Sequence, residues 1–169
     1  KKRHGIDLPV GSDIFVLQDK TYRQLRAKGV AEAYFSPWNK SSAISAYTVK
    51  PSNNWLLYLQ RHHHRLPEPL AEHLKPFYAL LASRREVKLE QMHWFHIQWP
   101  RLPERFEGPK LVLPQRARNC RAAYIEAPFY ASADVYFIHS RDASTAGIHQ
   151  LKALVYLLNH PLYTLIQWL

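Results

Sequence analysis

The chain has 169 residues, 47% of them apolar, and carries five Trp, ten Tyr and seven Phe. That composition excludes a disordered polymer and sets the scale of one domain with its own core. Lys and Arg total 23 against 13 Asp and Glu, a formal charge of +10 spread along the sequence rather than packed into a tail. The partner expected for such a folded basic face is a polyanion, DNA or RNA before an anionic membrane surface.

In chain order, Asp13 to Leu17 reads as a strand. Asp19 is placed to cap a helix running to about Lys28, with Gly29 to end it. Ser36 to Ser42 is a loop, and Ile44 to Val49 and Trp55 to Leu59 are two strands around the turn Lys50-Pro51-Ser52-Asn53-Asn54. Leu70 to Ser83 reads as a helix with a boundary or kink at Pro76 and a basic end at Arg84 and Arg85. Met92 to Trp99, dense in aromatics and His, is a strand or a packed loop. Lys110 to Leu113, Arg121 to Glu126 and Val135 to His139 are further short strands. Pro114 cannot donate a ladder hydrogen bond, so the first of these should stop or reach a sheet edge there. Ile148 to Leu158 and Leu162 to Leu169 are helical pieces split by Pro161. Strands and helices mix without a βαβ rhythm. The expected fold class is therefore α+β, with short, mostly antiparallel strands packed with helices in a single domain over residues 1–169.

Several features bound the setting. The single cysteine, Cys120, excludes an intramolecular disulfide and fits a reducing, cytoplasmic compartment. The stretch Ala153 to Leu169 is too short and too interrupted by Asn159, His160 and Pro161 for a membrane span. No signal peptide is visible. The chain begins at Lys1 and its one methionine is Met92, which fits a removed initiator or a piece of a longer protein.

Searches for catalytic chemistry fail one after another. Five glycines assemble neither a phosphate loop nor a dinucleotide fingerprint, and no Gly-x-Ser-x-Gly elbow is present. Cys120 needs a His brought close by the fold to act as a nucleophile and is better read as an inert thiol. His62, His63, His64 and His73 lack the spacing of a zinc site, so no metal ligand set is assigned. Glu86-Val87-Lys88 mimics the tail of a nuclease motif, but the nearest upstream Asp is Asp19. What remains is a binder's inventory: Arg84, Arg85, Arg101, Arg105, Lys110, Arg116, Arg118 and Arg121, with Trp94, Phe95, Trp99 and Phe106 among them. Cations neutralise phosphates and flat rings pack against sugars or bases.

The order of the segments resembles the TaqI-like C-terminal specificity domain, the target-recognition domain of adenine-N6 DNA methyltransferases and fused restriction–modification enzymes. The likeness runs from Ile14-Phe15-Val16-Leu17 through Lys40-Ser41-Ser42-Ala43-Ile44-Ser45-Ala46-Tyr47 and Trp55-Leu56-Leu57-Tyr58. It continues at Arg84-Arg85-Glu86, at Trp94 with Trp99-Pro100-Arg101, and at Phe106-Glu107-Gly108-Pro109-Lys110-Leu111-Val112-Leu113-Pro114. It closes on Asp134-Val135-Tyr136-Phe137-Ile138 and Leu157-Leu158-Asn159-His160. Ala43, Ala46 and His160 depart from the family's usual Asp, basic residue and Ser, so no role passes to the first two. The resemblance implies a DNA-binding module without catalytic residues. Its partner would be an N-terminal methyltransferase domain that holds S-adenosylmethionine and the flipped adenine; this chain itself would need no cofactor.

Arg116 and Arg118 are the expected base-edge contacts, with Asn119 as an adenine reader, because Arg and Asn present paired donors and acceptors to guanine and adenine. Lys40, Arg84, Arg85, Arg101 and Lys110 are expected to position phosphates. Tyr47 and Trp99 pack on the DNA backbone or fill the core, the core being preferred. Two other readings compete: an autonomous nuclease or RNA-processing enzyme, and a protein-interaction module kept soluble by its charge.

Overall fold

The computed structural model describes residues 13–98 and 100–162. The sequence expectations at Trp99 and over 163–169 lie outside the described residues. The strands are β1 (Val16–Gln18), β2 (Phe35–Asn39), β3 (Ile44–Ser45), β4 (Thr48–Val49), β5 (Asn54–Leu57), β6 (Lys110–Pro114), β7 (Ala123–Ile125), β8 (Tyr130–Ala131) and β9 (Val135–Ile138). The helices are α1 (Asp19–Ala27), α2 (Glu68–Leu74), α3 (Tyr78–Ala82), α4 (Arg85–Lys88) and α5 (Thr145–Asn159). The class is α+β. The chain divides into two compact units, residues 1–36 with 53–100 and residues 37–52 with 101–169. Among the described residues, no helix is long and apolar enough to cross a membrane.

In the first unit β1 and β5 pair antiparallel, Val16 opposite Leu56 and Gln18 opposite Asn54. Asp19 does not cap α1. Gln18 occupies that position, and the Asp19 carboxylate lies in the first turn, where the helix dipole favours it. It accepts from Arg23 Nε at 2.6 Å and from Trp55 Nε1 at 3.3 Å. Gly29 ends the helix with φ +85°, a conformation that favours glycine. Pro76 does interrupt the next helical run. A 3-10 turn over Lys75–Phe77 separates α2 from α3, because proline supplies no N–H to the ladder. Leu17, Leu25, Leu57, Leu59, Leu70, Leu74, Leu81 and Phe95 close the core. Each buried Leu of this kind stabilises by about 1.5–3 kcal/mol.

Residues 92–98 form a packed loop, not a strand, and Arg84 explains its shape. The guanidinium donates to the carbonyls of Leu81 (2.9 Å), His96 (2.8 Å) and Trp94. His96, 2% exposed, completes the loop: its Nδ1 accepts from the His93 N–H at 3.3 Å, and its Nε2 lies 2.9 Å from the His63 carbonyl. This fixes the neutral tautomer with the proton on Nε2.

The second unit is built on β6. It is the central strand of the order β7-β6-β9, antiparallel to both neighbours. β6 stops at Pro114, as expected, although it is a central strand rather than an edge. Pairing with β7 covers only Lys110 to Val112, while pairing with β9 continues to Pro114. Leu111 packs with Ala122, Leu151, Val155 and Leu158 of one cluster, and Val112 with Ile44, Ala123, Phe129 and Val135 of another. Opposite faces of one strand are covered, which is why Leu111-Val112-Leu113 reads as an unbroken apolar run. The residues expected as one strand from Ile44 to Val49 are instead a tight hairpin, β3 against β4, turning at Ala46-Tyr47. The parallel pair β2–β8 joins Trp38 to Tyr130 and Asn39 to Ala131.

Helix α5 starts three residues earlier than apolar periodicity suggests, because Ser144 caps it. Its Oγ accepts from the Ala146 N–H at 3.2 Å and donates to Asp142 Oδ2 at 2.7 Å. Gly147 sits against this loop, and a Cβ there would overlap the Asp142 carbonyl oxygen. Gly147→Ala is thus expected to cost about 1–3 kcal/mol in overpacking despite the better helix propensity of Ala. A lower thermal midpoint in calorimetry checks it; an unchanged or higher one refutes the collision.

The same logic sets a pH dependence in the first unit. Burial pushes the His96 and His63 imidazoles below their ordinary 6.5. The unfolded chain then binds protons first as pH falls, so the stability present above about pH 6.5 is lost progressively below it. Urea midpoints taken from about pH 7.5 to about pH 5 should decline, and His96→Gln should flatten that decline.

Candidate nucleic-acid interface

The loop between β6 and β7 carries Arg116, Arg118 and Asn119, and the structure holds it at both ends. At the entrance the Gln115 N–H donates to the Asp134 carbonyl at 2.8 Å, and Gln115 Nε2 donates to the Tyr136 hydroxyl at 3.1 Å. At the exit Ala122 is gripped from two sides. Its N–H donates to Asn159 Oδ1 and its carbonyl accepts from Asn159 Nδ2, each at 2.8 Å. The same carbonyl accepts from the Tyr47 N–H at 2.9 Å. The last residue of α5 and the tip of the β3–β4 hairpin thus fix the point where the loop rejoins the sheet.

Between these anchors Arg116, Ala117, Arg118 and Asn119 are all exposed. Among the described residues, no hydrogen bond or ion pair engages the side chains of Arg116, Arg118 or Asn119. They border a cleft of about 880 Å3 whose other wall includes Ser45, Ala46, Asn159 and Pro161. Arg121 also lines it, with its Nε buried and without a partner. Cys120 is half-buried beside them, and burial pushes its thiol pKa up. The protonated thiol is a poor nucleophile. Among the described residues, no group of three or more His, Cys, Asp or Glu is placed to hold a metal ion.

The remaining sequence-predicted residues separate into two kinds. Lys40, just beyond β2, and Arg85, the first residue of α4, are exposed. Arg101 is half-buried, its guanidinium carbon 5.9 Å from the Phe137 ring centroid. Lys110 and Arg84 are not presented to a ligand. Lys110 is 0% exposed and donates Nζ to the carbonyls of Gly108 (2.8 Å) and Ala127 (2.9 Å). Burial lowers its pKa to about 8, against the opposing pull of Glu107. Its ammonium ties two loops together and cannot reach a phosphate. Half-buried Arg84 spends its guanidinium on three backbone carbonyls and shapes the 92–98 loop. Arg84 and Arg85 belong to the first unit, the other six predicted residues to the second. Sequence reasoning assigned no role to Asn159, whose only signal was an Asn at a helix end, and did not foresee that Ala46 and Tyr47 form a turn.

No family model matches the chain, and no curated protein matches it. Among solved structures it is similar to part of the Type IIL restriction–modification enzyme MmeI in complex with DNA, with a TM-score of 0.50 and 16% identity over 79% of this chain. The matched part is 18% of that chain, so this sequence spans less than a fifth of its neighbour. At that identity the likeness is one of fold, shared with a segment of a restriction–modification enzyme.

The Asn159 grip yields a direct check. Asn159→Ala removes two hydrogen bonds and leaves the Ala122 N–H without a partner, while its carbonyl keeps the Tyr47 N–H. The expected cost is about 1–3 kcal/mol. It should appear in denaturant unfolding, together with faster hydrogen exchange at the Ala122 amide; unaltered exchange there would show that the loop is anchored without Asn159.

Proposed function

We propose that this chain is the sequence-reading module of a restriction–modification enzyme, a TaqI-like target-recognition domain serving an adenine-N6 DNA methyltransferase. The observation that carries the reading is the loop of Arg116, Arg118 and Asn119, exposed and unengaged yet held at both ends. Free guanidiniums and an amide on a fixed frame suit base-edge readout, since their paired donors are uncommitted and the backbone that carries them is held in place. The fold shared with part of a DNA-bound restriction–modification enzyme supports it, as does the formal charge of +10. In this reading Arg116 and Arg118 contact guanines, Asn119 an adenine, and Lys40, Arg85 and Arg101 neutralise phosphates. The target adenine and S-adenosylmethionine belong to a separate catalytic domain acting where DNA is exposed in the cytoplasm. The five glycines of this chain form no cofactor loop, and no residue here is assigned to that cofactor.

The test is binding of the 169-residue chain to a randomised duplex library at several salt concentrations. The wild type should enrich a short site. Arg116→Ala should lose about 1–3 kcal/mol of discrimination at one base pair. A uniform loss over all sequences with a shallower salt slope would move Arg116 to the phosphate contacts. Cleavage of the duplex with added magnesium or manganese would favour a nuclease instead.

A further inference from the structure

Tyr47 occupies a position that chemistry disfavours. It is the second residue of the two-residue β3–β4 turn and has φ +68°, with the positive value at that position alone. This is the pattern of a type II turn, whose second position calls for glycine. A Tyr there holds strained backbone, and strain of this kind concentrates at functional sites. The ring gains little from packing in return: it is 53% exposed. The core reading of Tyr47 is therefore overturned. Its N–H is committed to the Ala122 carbonyl, the group that Asn159 also holds, so the ring projects from the frame that anchors the reading loop. Its turn neighbour Ala46 and Ser45 line the same cleft as Arg116 and Arg118.

The ring is not alone. The Tyr156 centroid lies 6.5 Å from that of Tyr47, and the His160 ring 6.3 Å beyond Tyr156. Tyr156 is 61% exposed. The Tyr156 ring thus neighbours both Tyr47 on the turn and His160 just past α5, next to residues lining a cleft whose charged residues are all arginines. Cations for phosphates beside exposed rings for bases and sugars are the paired elements of a nucleic-acid surface. A protein partner of acidic character would satisfy the arginines but gives no reason to keep a strained Tyr at the tip.

We infer that Tyr47, supported by Tyr156, is a ring contact to duplex DNA beside the reading loop, its ring seating on a deoxyribose face of the backbone. This rests on the DNA reading proposed above and adds a residue and a contact type to it. A ring contact releases no counterions, so its loss weakens binding without changing the salt dependence.

The experiment measures affinity of the 169-residue chain for a random-sequence duplex of about 30 base pairs across salt concentrations, with thermal melting alongside. Tyr47→Gly removes the ring while placing at the turn the residue its backbone favours. It should melt no lower than wild type and bind about tenfold or more weakly at an unchanged salt slope. Tyr156→Ala, at a helix position Ala favours, should show a smaller loss of the same kind. Wild type that binds duplex while both variants bind it equally well overturns the ring contact and leaves the DNA reading standing. Tyr47→Gly that loses affinity only through a shallower salt slope does the same. Wild type without measurable affinity for duplex at low salt sinks both.

Discussion

The paired hydrogen bonds between the Asn159 amide and the backbone of Ala122 are the constraint on which the rest of the second unit depends. A primary amide offers one donor and one acceptor on a planar group, which is what a peptide presents to a neighbouring strand. Asn159 thus extends the ladder for one residue at the point where β7 has not yet begun. Helix α5 brings it there by packing Leu151, Val155 and Leu158 against Leu111 and Ala122. Apolar burial places the helix, the helix places the amide, and the amide decides where the loop of Arg116 to Asn119 is allowed to end.

Basic side chains in this protein are used in two opposed ways, and desolvation separates them. Buried Lys110 and half-buried Arg84 are held in the structure because backbone carbonyls meet their donors. The cost of burial shows in a Lys110 pKa lowered to about 8. Arg116 and Arg118 are exposed and, among the described residues, make no hydrogen bond or ion pair. Reading function from a count of Lys and Arg merges these two populations. Whether backbone carbonyls meet their donors sorts them.

The strained turn at Tyr47 and the held loop have a common logic. On the DNA reading proposed above, such a surface gains when its backbone arrives already ordered, because that part of the ordering cost is then met in folding rather than in binding. Both features fix exposed groups through backbone hydrogen bonds and leave the side chains themselves untethered.

The sequence alone determined the class of the fold, through the mixture of period-two and helical segments, and the breaks at Gly29 and Pro76, where backbone chemistry is local. It also singled out the Arg116–Asn119 loop, because strand, proline and polar residues follow one another within a dozen positions. It was silent or wrong on what depends on distant partners. β6 ends at Pro114 as its chemistry requires, but that β6 is central, with β9 pairing past the point where β7 stops, leaves no local mark. Lys110 and Arg84 carry the same local signature as any surface cation, and only the carbonyls that meet them in three dimensions make them internal. Asn159 and Ala122 stand 37 residues apart, and the division of the chain into two units interleaved in sequence has no composition shift to announce it. Local chemistry is written in neighbours along the chain; the identity of a hydrogen-bond partner is decided only when packing brings its acceptor within about 3 Å.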